Sequence, residues 1–175
     1  MTRVLEDFSK DYCLSADIDT EMPQVQSKFF GTISFDEGDL FHFRHGIPGF
    51  EGEREYIGIE IPDQRPILYL QSTISEELCL ITLPVRVFLN DYRFDETPEE
   101  RRLIELDATA ALRIGSDVGC FAIVTVDESG EPAANLAAPI VMNLANRQCV
   151  QSFQADSDYS FRHPLSESPE PSPAC

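Results

Sequence analysis

The sequence predicts a mainly β protein: a small single-domain antiparallel β-barrel-like fold with one short α-helix. Two observations point to this class. Short apolar segments, about eight in number, alternate with turn residues, which is typical of antiparallel barrels and sandwiches. One segment alone carries the capping signature of a helix start. The chain has 175 residues, of which 42% are hydrophobic, and this composition suits one compact domain.

The predicted strands follow either from a period of two in the apolar residues, as at 29–35 and 54–61, or from short apolar runs. Residues 29–35 alternate with this period, and a turn follows at 36–38. The later strands are predicted, in chain order, at 40–44, 54–61, 67–72, 78–83, 120–126, 135–142 and 149–153. The hairpin signal at Asp127–Gly130 favours antiparallel pairing of its neighbours.

The helix is predicted from a capping box. Thr97 is placed to cap the helix, Pro98 suits the first helical position, and Glu100 is able to return a hydrogen bond to the cap. The residues that follow include an apolar stripe of Leu103, Ile104 and Leu106. Arg101 and Arg102 are expected to face water.

The chain divides into three parts by composition. Residues 1–28 are predicted to be a flexible polar leader, and residues 29–163 the folded β-barrel domain. Residues 164–175, rich in Pro, Ser and Glu, are predicted to be a disordered tail. The longest apolar runs fall short of the roughly 20 residues that a membrane-spanning helix needs. The N-terminus lacks the pattern of a signal peptide, and the five cysteines are widely spaced without a CxxC motif. We therefore expect a cytoplasmic protein with reduced thiols.

Charge restricts the possible partners. Thirty-one acidic residues oppose thirteen basic ones, giving a formal net charge of -18. Direct nucleic-acid binding is disfavoured because phosphate contacts need clustered cations. An anionic membrane surface is disfavoured for the same reason. A basic partner protein remains compatible, since the negative field would steer it inward.

Catalytic and cofactor motifs are not found in the sequence. It has no GxSxG elbow and no phosphate-binding loop. His42 and His45 lie three apart, so on a continuous strand they point to opposite faces and do not chelate a metal together. We expect no enzymatic activity, no cofactor and no metal.

Several motifs remain that carry no catalytic group. They are GIPGFE at 46–51, LQS at 70–72, a stretch from Leu-Pro to Asp-Tyr at 83–92, NLAAPIVMN at 135–143, and Tyr159 with His163-Pro164. Pro139 marks its strand as an edge or as bulged, because proline lacks a backbone donor. A free edge would accept a strand from another chain.

In this order and spacing, these motifs resemble FliW, the bacterial flagellar assembly factor family, from about Gly31 through Leu165. The resemblance implies a β-barrel-like protein that is not an enzyme. Its implied partners are the translational repressor CsrA, a small basic RNA-binding dimer, and flagellin. It also implies non-competitive antagonism, in which CsrA is contacted away from its RNA surface. Secretion of flagellin would then release the protein to sequester CsrA.

The motif match gives eight candidate partner-binding residues: Ile47, Phe50, Glu51, Gln71, Asp91, Tyr92, Asn135 and Asn143. Phe50 and Tyr92 are the expected anchors, since aromatic residues often dominate interface energy. Three alternatives stay open at this point. These residues could be determinants of the fold, the main task could be flagellin chaperoning, or the Phe-rich interior could hold a small ligand.

Overall fold

The computed structural model describes residues 22–128, 130–155 and 157–165. The predicted leader up to residue 21 and the predicted tail from residue 166 lie outside these ranges. The elements are β1 (Gln24–Ser27), β2 (Gly31–Ser34), β3 (Leu40–Phe43), β4 (Glu55–Ile59), β5 (Leu68–Ser72), β6 (Cys79–Pro84), α1 (Pro98–Leu103), β7 (Val118–Val126), β8 (Pro132–Asn143), β9 (Gln148–Gln151) and β10 (His163–Pro164). The predicted mainly β class with one short α-helix is confirmed.

Seven strands close into a barrel. The strand order is β8-β7-β6-β5-β4-β3-β9, and β9 pairs back onto β8. All of these ladders are antiparallel except the pair of β3 and β9, which is parallel. Closure removes the free edges that an open sheet would expose.

Alternate residues along the strands point into the barrel, and their side chains fill its interior. Phe41 and Phe43 of β3 point inward, and Leu40 packs outside. The buried interior residues are Phe41, Phe43, Ile47, Tyr56, Leu68, Leu70, Ile140, Met142 and Cys149. Gly58 makes room for one of them, since a Cβ there would lie 2.3 Å from the Phe41 ring. A packed interior of this kind leaves little space for a ligand.

Two further layers cover the outside of the barrel. The β1–β2 hairpin packs on β3 and β4, where Phe35, Leu40 and Ile57 form a small buried cluster. The long connection between β6 and β7, which includes α1, packs on β7 and β8. The second cluster contains Val85, Tyr92, Ile104, Val118, Cys120, Ala122, Ala134, Leu136 and Val141.

The ordered sheet begins earlier than the sequence predicts. β1 starts at Gln24, within the segment assigned to the leader, so the boundary predicted at residue 29 is five residues late. The reason is composition: β1 reads QVQS, and its single apolar residue, Val25, gives no period-two signal. Its pairing with β2 and the packing of Val25 on the barrel hold it in place.

The predicted capping box of α1 is confirmed. Thr97 Oγ1 accepts from Glu100 N at 3.2 Å, and Glu100 Oε2 accepts from Thr97 N at 2.6 Å. The expectation that Arg101 faces water is wrong, because it pairs with Glu96 in a largely buried site. In the ranges that the structure describes, no helix is both long enough and apolar enough to cross a membrane.

Candidate partner-binding surface

The GIPGFE corner follows β3 and is built around its glycines. Gly46 has a φ of +72°, a left-handed conformation that favours glycine. Ile47 turns inward and is buried in the barrel core. Phe50 N donates to Ile47 O at 2.7 Å, and the Phe50 side chain is 42% exposed. Glu51 accepts from Gly49 N at 2.9 Å, and this hydrogen bond lowers the pKa of its carboxyl. The corner therefore buries one predicted contact residue and presents two.

Gln71 is a buried brace between two neighbouring turns. Its Oε1 accepts from Ser27 Oγ at 2.7 Å, at the turn between β1 and β2. Its Nε2 faces Ser75 O at 2.9 Å and Leu78 O at 3.1 Å, in the turn between β5 and β6. Because Gln71 is fully enclosed, it supports this region from within and presents no atom to solvent.

Three loops meet at this end of the barrel, which we call the loop end: residues 28–30, 46–55 and 72–78. Lys28 N donates to Glu76 O at 2.8 Å, which joins the first loop to the third. Thr73 N donates to Glu55 O at 3.1 Å, and Ser72 Oγ bonds to the Glu53 carboxylate, which joins the second to the third. Three predicted residues therefore belong to this region, Ile47, Phe50 and Glu51, and the buried Gln71 braces it from β5.

A second group of predicted residues lies around Tyr92. Its hydroxyl donates to Leu136 O at 2.6 Å, and its ring stacks on Tyr159 at 4.3 Å between centroids. Burial raises the pKa of Tyr92 above its usual range. Asp91 is exposed beside it. Tyr92 therefore anchors the connection between β6 and β7 to β8, instead of facing a partner as a free aromatic anchor.

The expectation of an open edge at 135–143 is wrong, and the alternative of a bulge is confirmed. β8 pairs with β7 on one side and with β9 and β10 on the other. Between Phe121 and Ile123 the register of β7 against β8 shifts from Ile140 to Asn135. The bulged backbone is satisfied internally, by bonds such as Gln154 N to Ala137 O at 2.8 Å. Among the residues that the structure describes, β8 is paired on both sides and leaves no free edge for an added strand.

The two asparagines of β8 both form hydrogen bonds with the backbone. Asn135 Oδ1 accepts from Ala138 N at 3.0 Å inside the bulge. Asn143 is buried; its Nδ2 donates to Ile104 O at 2.9 Å, and its Oδ1 accepts from Ala145 N at 2.9 Å. Asn143 therefore ties the end of α1 to the barrel wall.

The structure thus separates the eight candidates by exposure. Four side chains are enclosed and hold the fold together: Ile47, Gln71, Tyr92 and Asn143. The other four reach the surface at least in part: Phe50, Glu51, Asp91 and Asn135. The sequence does not predict the exposed apolar residues Phe29 and Ile74 at the loop end as contact residues. A single isoleucine among polar neighbours gives no periodic signal, and Phe29 matched the pattern of a strand.

The grouping and burial of titratable side chains bear on the chemistry of the described residues. Within these ranges no group of three or more His, Cys, Asp or Glu side chains is arranged to hold a metal ion. Burial raises the pKa of Cys79 to about 11 and that of Cys120 to about 12, so both thiols stay protonated at neutral pH. Their chemistry is that of small apolar core residues.

Comparison with known proteins identifies related sequences and a related structure. A sequence model of the family described as FliW protein matches residues 24–165. The flagellar assembly factor FliW of Bacillus licheniformis is 33% identical over 142 residues, covering 81% of this chain and 95% of the relative. The protein of the same name from Bacillus subtilis is 31% identical with the same coverage. A crystal structure of the flagellar assembly factor FliW matches with a TM-score of 0.69 at 26% identity, covering 82% of this chain and 96% of that one.

Proposed function

This chain belongs to the FliW protein family, and from that membership we propose that it serves as a flagellar assembly factor that acts by binding proteins and not by catalysis. The observation that carries the proposal is the extent of the match. It runs over residues 24–165, from the first strand to the residue after the last. The relatives named above are described as flagellar assembly factors, and the match covers nearly their whole length.

The proposed partners are the translational repressor CsrA and flagellin, both met in the cytoplasm. The protein would bind CsrA away from its RNA surface and disfavour the RNA-bound state. Flagellin would compete with CsrA for this protein. When flagellin is secreted, the freed protein would bind CsrA, and flagellin mRNA would no longer be repressed. Direct contact with nucleic acid or membrane is not part of this function.

Electrostatics supports this choice of partner. The formal net charge is -18, and several of the few cations are already held in ion pairs, among them Lys28, Arg44 and Arg101. An RNA-binding repressor carries positive potential and would associate quickly with such a surface. Once bound beside the RNA site, the protein would repel phosphates over about one Debye length, near 8 Å at physiological salt.

A chaperone function directed mainly at flagellin is the alternative within the same class. Binding measurements distinguish the two. We expect calorimetric titration to give a saturable complex with CsrA and a saturable complex with flagellin. Binding of flagellin alone would support the chaperone, and binding of neither would refute both.

A small-ligand barrel is disfavoured by the packed interior of Phe41, Phe43 and Tyr56.

The electrostatic part of the antagonism predicts a dependence on salt. The affinity of CsrA for RNA is measured by fluorescence anisotropy with and without this protein, from low to high salt. We expect the inhibition, expressed as the ratio of the two affinities, to weaken as salt rises, because screening shortens the range of the repulsion. A ratio that stays constant while the protein complex remains intact would assign the inhibition entirely to a change of shape in CsrA.

A further inference from the structure

We propose that the loop end is the surface on which a basic partner protein docks, with Phe29, Phe50 and Ile74 as its apolar anchors. The proposal rests on the function proposed above and deepens it by assigning the contact surface. Only Phe50 of the three anchors belongs to the motifs of the sequence, so the assignment comes from the fold.

The three anchors are large apolar side chains that are exposed to solvent. Phe29 is 59% exposed, Phe50 42% and Ile74 74%. Single exposed apolar side chains are ordinary on protein surfaces. Here, however, three of them lie on loops that hydrogen bonds hold side by side, through Lys28 N to Glu76 O and Thr73 N to Glu55 O. Apolar residues grouped on one surface and surrounded by polar ones are typical of protein-binding sites.

The turns that carry these anchors are held in place before any partner arrives. Ser27 Oγ accepts from Phe29 N at 3.1 Å and donates to the buried Gln71. Ser72 Oγ accepts from Ile74 N at 3.1 Å and bonds to the Glu53 carboxylate. A surface ordered in this way loses less conformational entropy on binding, which favours affinity.

Charge selects the kind of partner. The three loops carry more acids than bases: Glu51, Glu53, Glu55, Glu76 and Glu77 against Lys28 and Arg54. Lys28 Nζ lies 3.1 Å from a Glu77 carboxylate oxygen, so this cation is already paired. Apolar anchors within an acidic surround fit a basic surface that presents apolar side chains. A second copy of this chain is a poor occupant, because it carries the same charge of -18.

The apolar part is tested by Phe29→Ser and Ile74→Ser, each titrated with CsrA from the same genome. We expect the dissociation constant to rise about thirtyfold or more in each, the size of an interface hot spot. Val87→Ser is the control, since Val87 is 53% exposed and follows β6 at the opposite end of that strand from the 72–78 loop. It should leave the affinity within about twofold. Thermal unfolding shows that each variant is folded.

The acidic part is tested by Glu76→Lys against Asp63→Lys. Both change the net charge equally, but Asp63 lies in the turn between β4 and β5, at the opposite end of these strands. We expect Glu76→Lys to slow association at low salt severalfold more than Asp63→Lys. Equal effects from the two, or serine variants that bind like the wild type, would overturn the docking surface and leave the proposed function intact. A wild-type protein that fails to bind CsrA would refute the proposed function itself.

Discussion

Replacement of Gly46 by alanine is expected to lower the free energy of unfolding by about 3–5 kcal/mol. Two costs add at this position. The φ of +72° places an alanine in the left-handed region. In addition, the new Cβ would lie 2.6 Å from Glu51 Cα and 2.7 Å from Phe50 O, and these are backbone atoms that have no rotamer to change. The loss is measured by urea unfolding followed by circular dichroism.

Gly49→Ala is the matched control in the same corner. Gly49 also has a positive φ, +90°, but a Cβ there meets no other atom within 4 Å. Its cost should be that of the left-handed backbone alone, about 1–2 kcal/mol. If the two variants lose the same stability, the close approach at Gly46 is not what requires glycine.

Replacement of Arg101 by alanine is expected to cost about 3 kcal/mol, because it leaves the carboxylate of Glu96 largely buried without its partner. Only 15% of the Arg101 side chain and 16% of Glu96 are exposed. Arg101 Nε bonds to Glu96 Oε1 at 2.8 Å, and its Nη1 donates to Asp107 O at 2.5 Å and Ala110 O at 3.0 Å. The variant therefore loses an ion pair and the ties to the loop that follows α1.

The neighbouring arginine provides the control. Arg102 is exposed, and its Nε donates to Pro98 O at 3.2 Å within the same helix. Arg102→Ala should change the free energy of unfolding by about 0.5 kcal/mol or less, as surface substitutions usually do. A double replacement of Arg101 by Met and Glu96 by Leu removes both charges at once and should recover much of the lost stability. If it does not, the loss comes from the loop contacts.

Local chemistry explains what the sequence could predict of this fold. A period of two locates β2 and β4, and short apolar runs locate β5, β6 and β7, because each of these strands packs on a core. The capping box of α1 depends on residues three apart, and both of its hydrogen bonds form as expected. Pro139 indicated a bulge or an edge through its missing donor, and the bulge is what forms.

Long-range packing explains the features of the fold that the sequence could not predict. β1 has one apolar residue and depends on β2 and the barrel for its position. The parallel pairing of β3 with β9 joins residues more than 100 positions apart and closes the barrel, and no local pattern specifies it. Arg101 reads as a surface residue until the loop at 107–110 folds over it. The exposure of Ile74 likewise becomes visible only once the loops are assembled.

Calorimetric titration with CsrA is the most direct test of the central claim, that this protein is a flagellar assembly factor acting through protein binding. We expect a saturable complex at physiological salt and a weaker one at high salt, because the acidic surface contributes to association. Bound RNA should not block the formation of that complex, although it should lower the affinity. No heat of binding at any salt concentration, with CsrA shown to be active in RNA binding, would contradict the account.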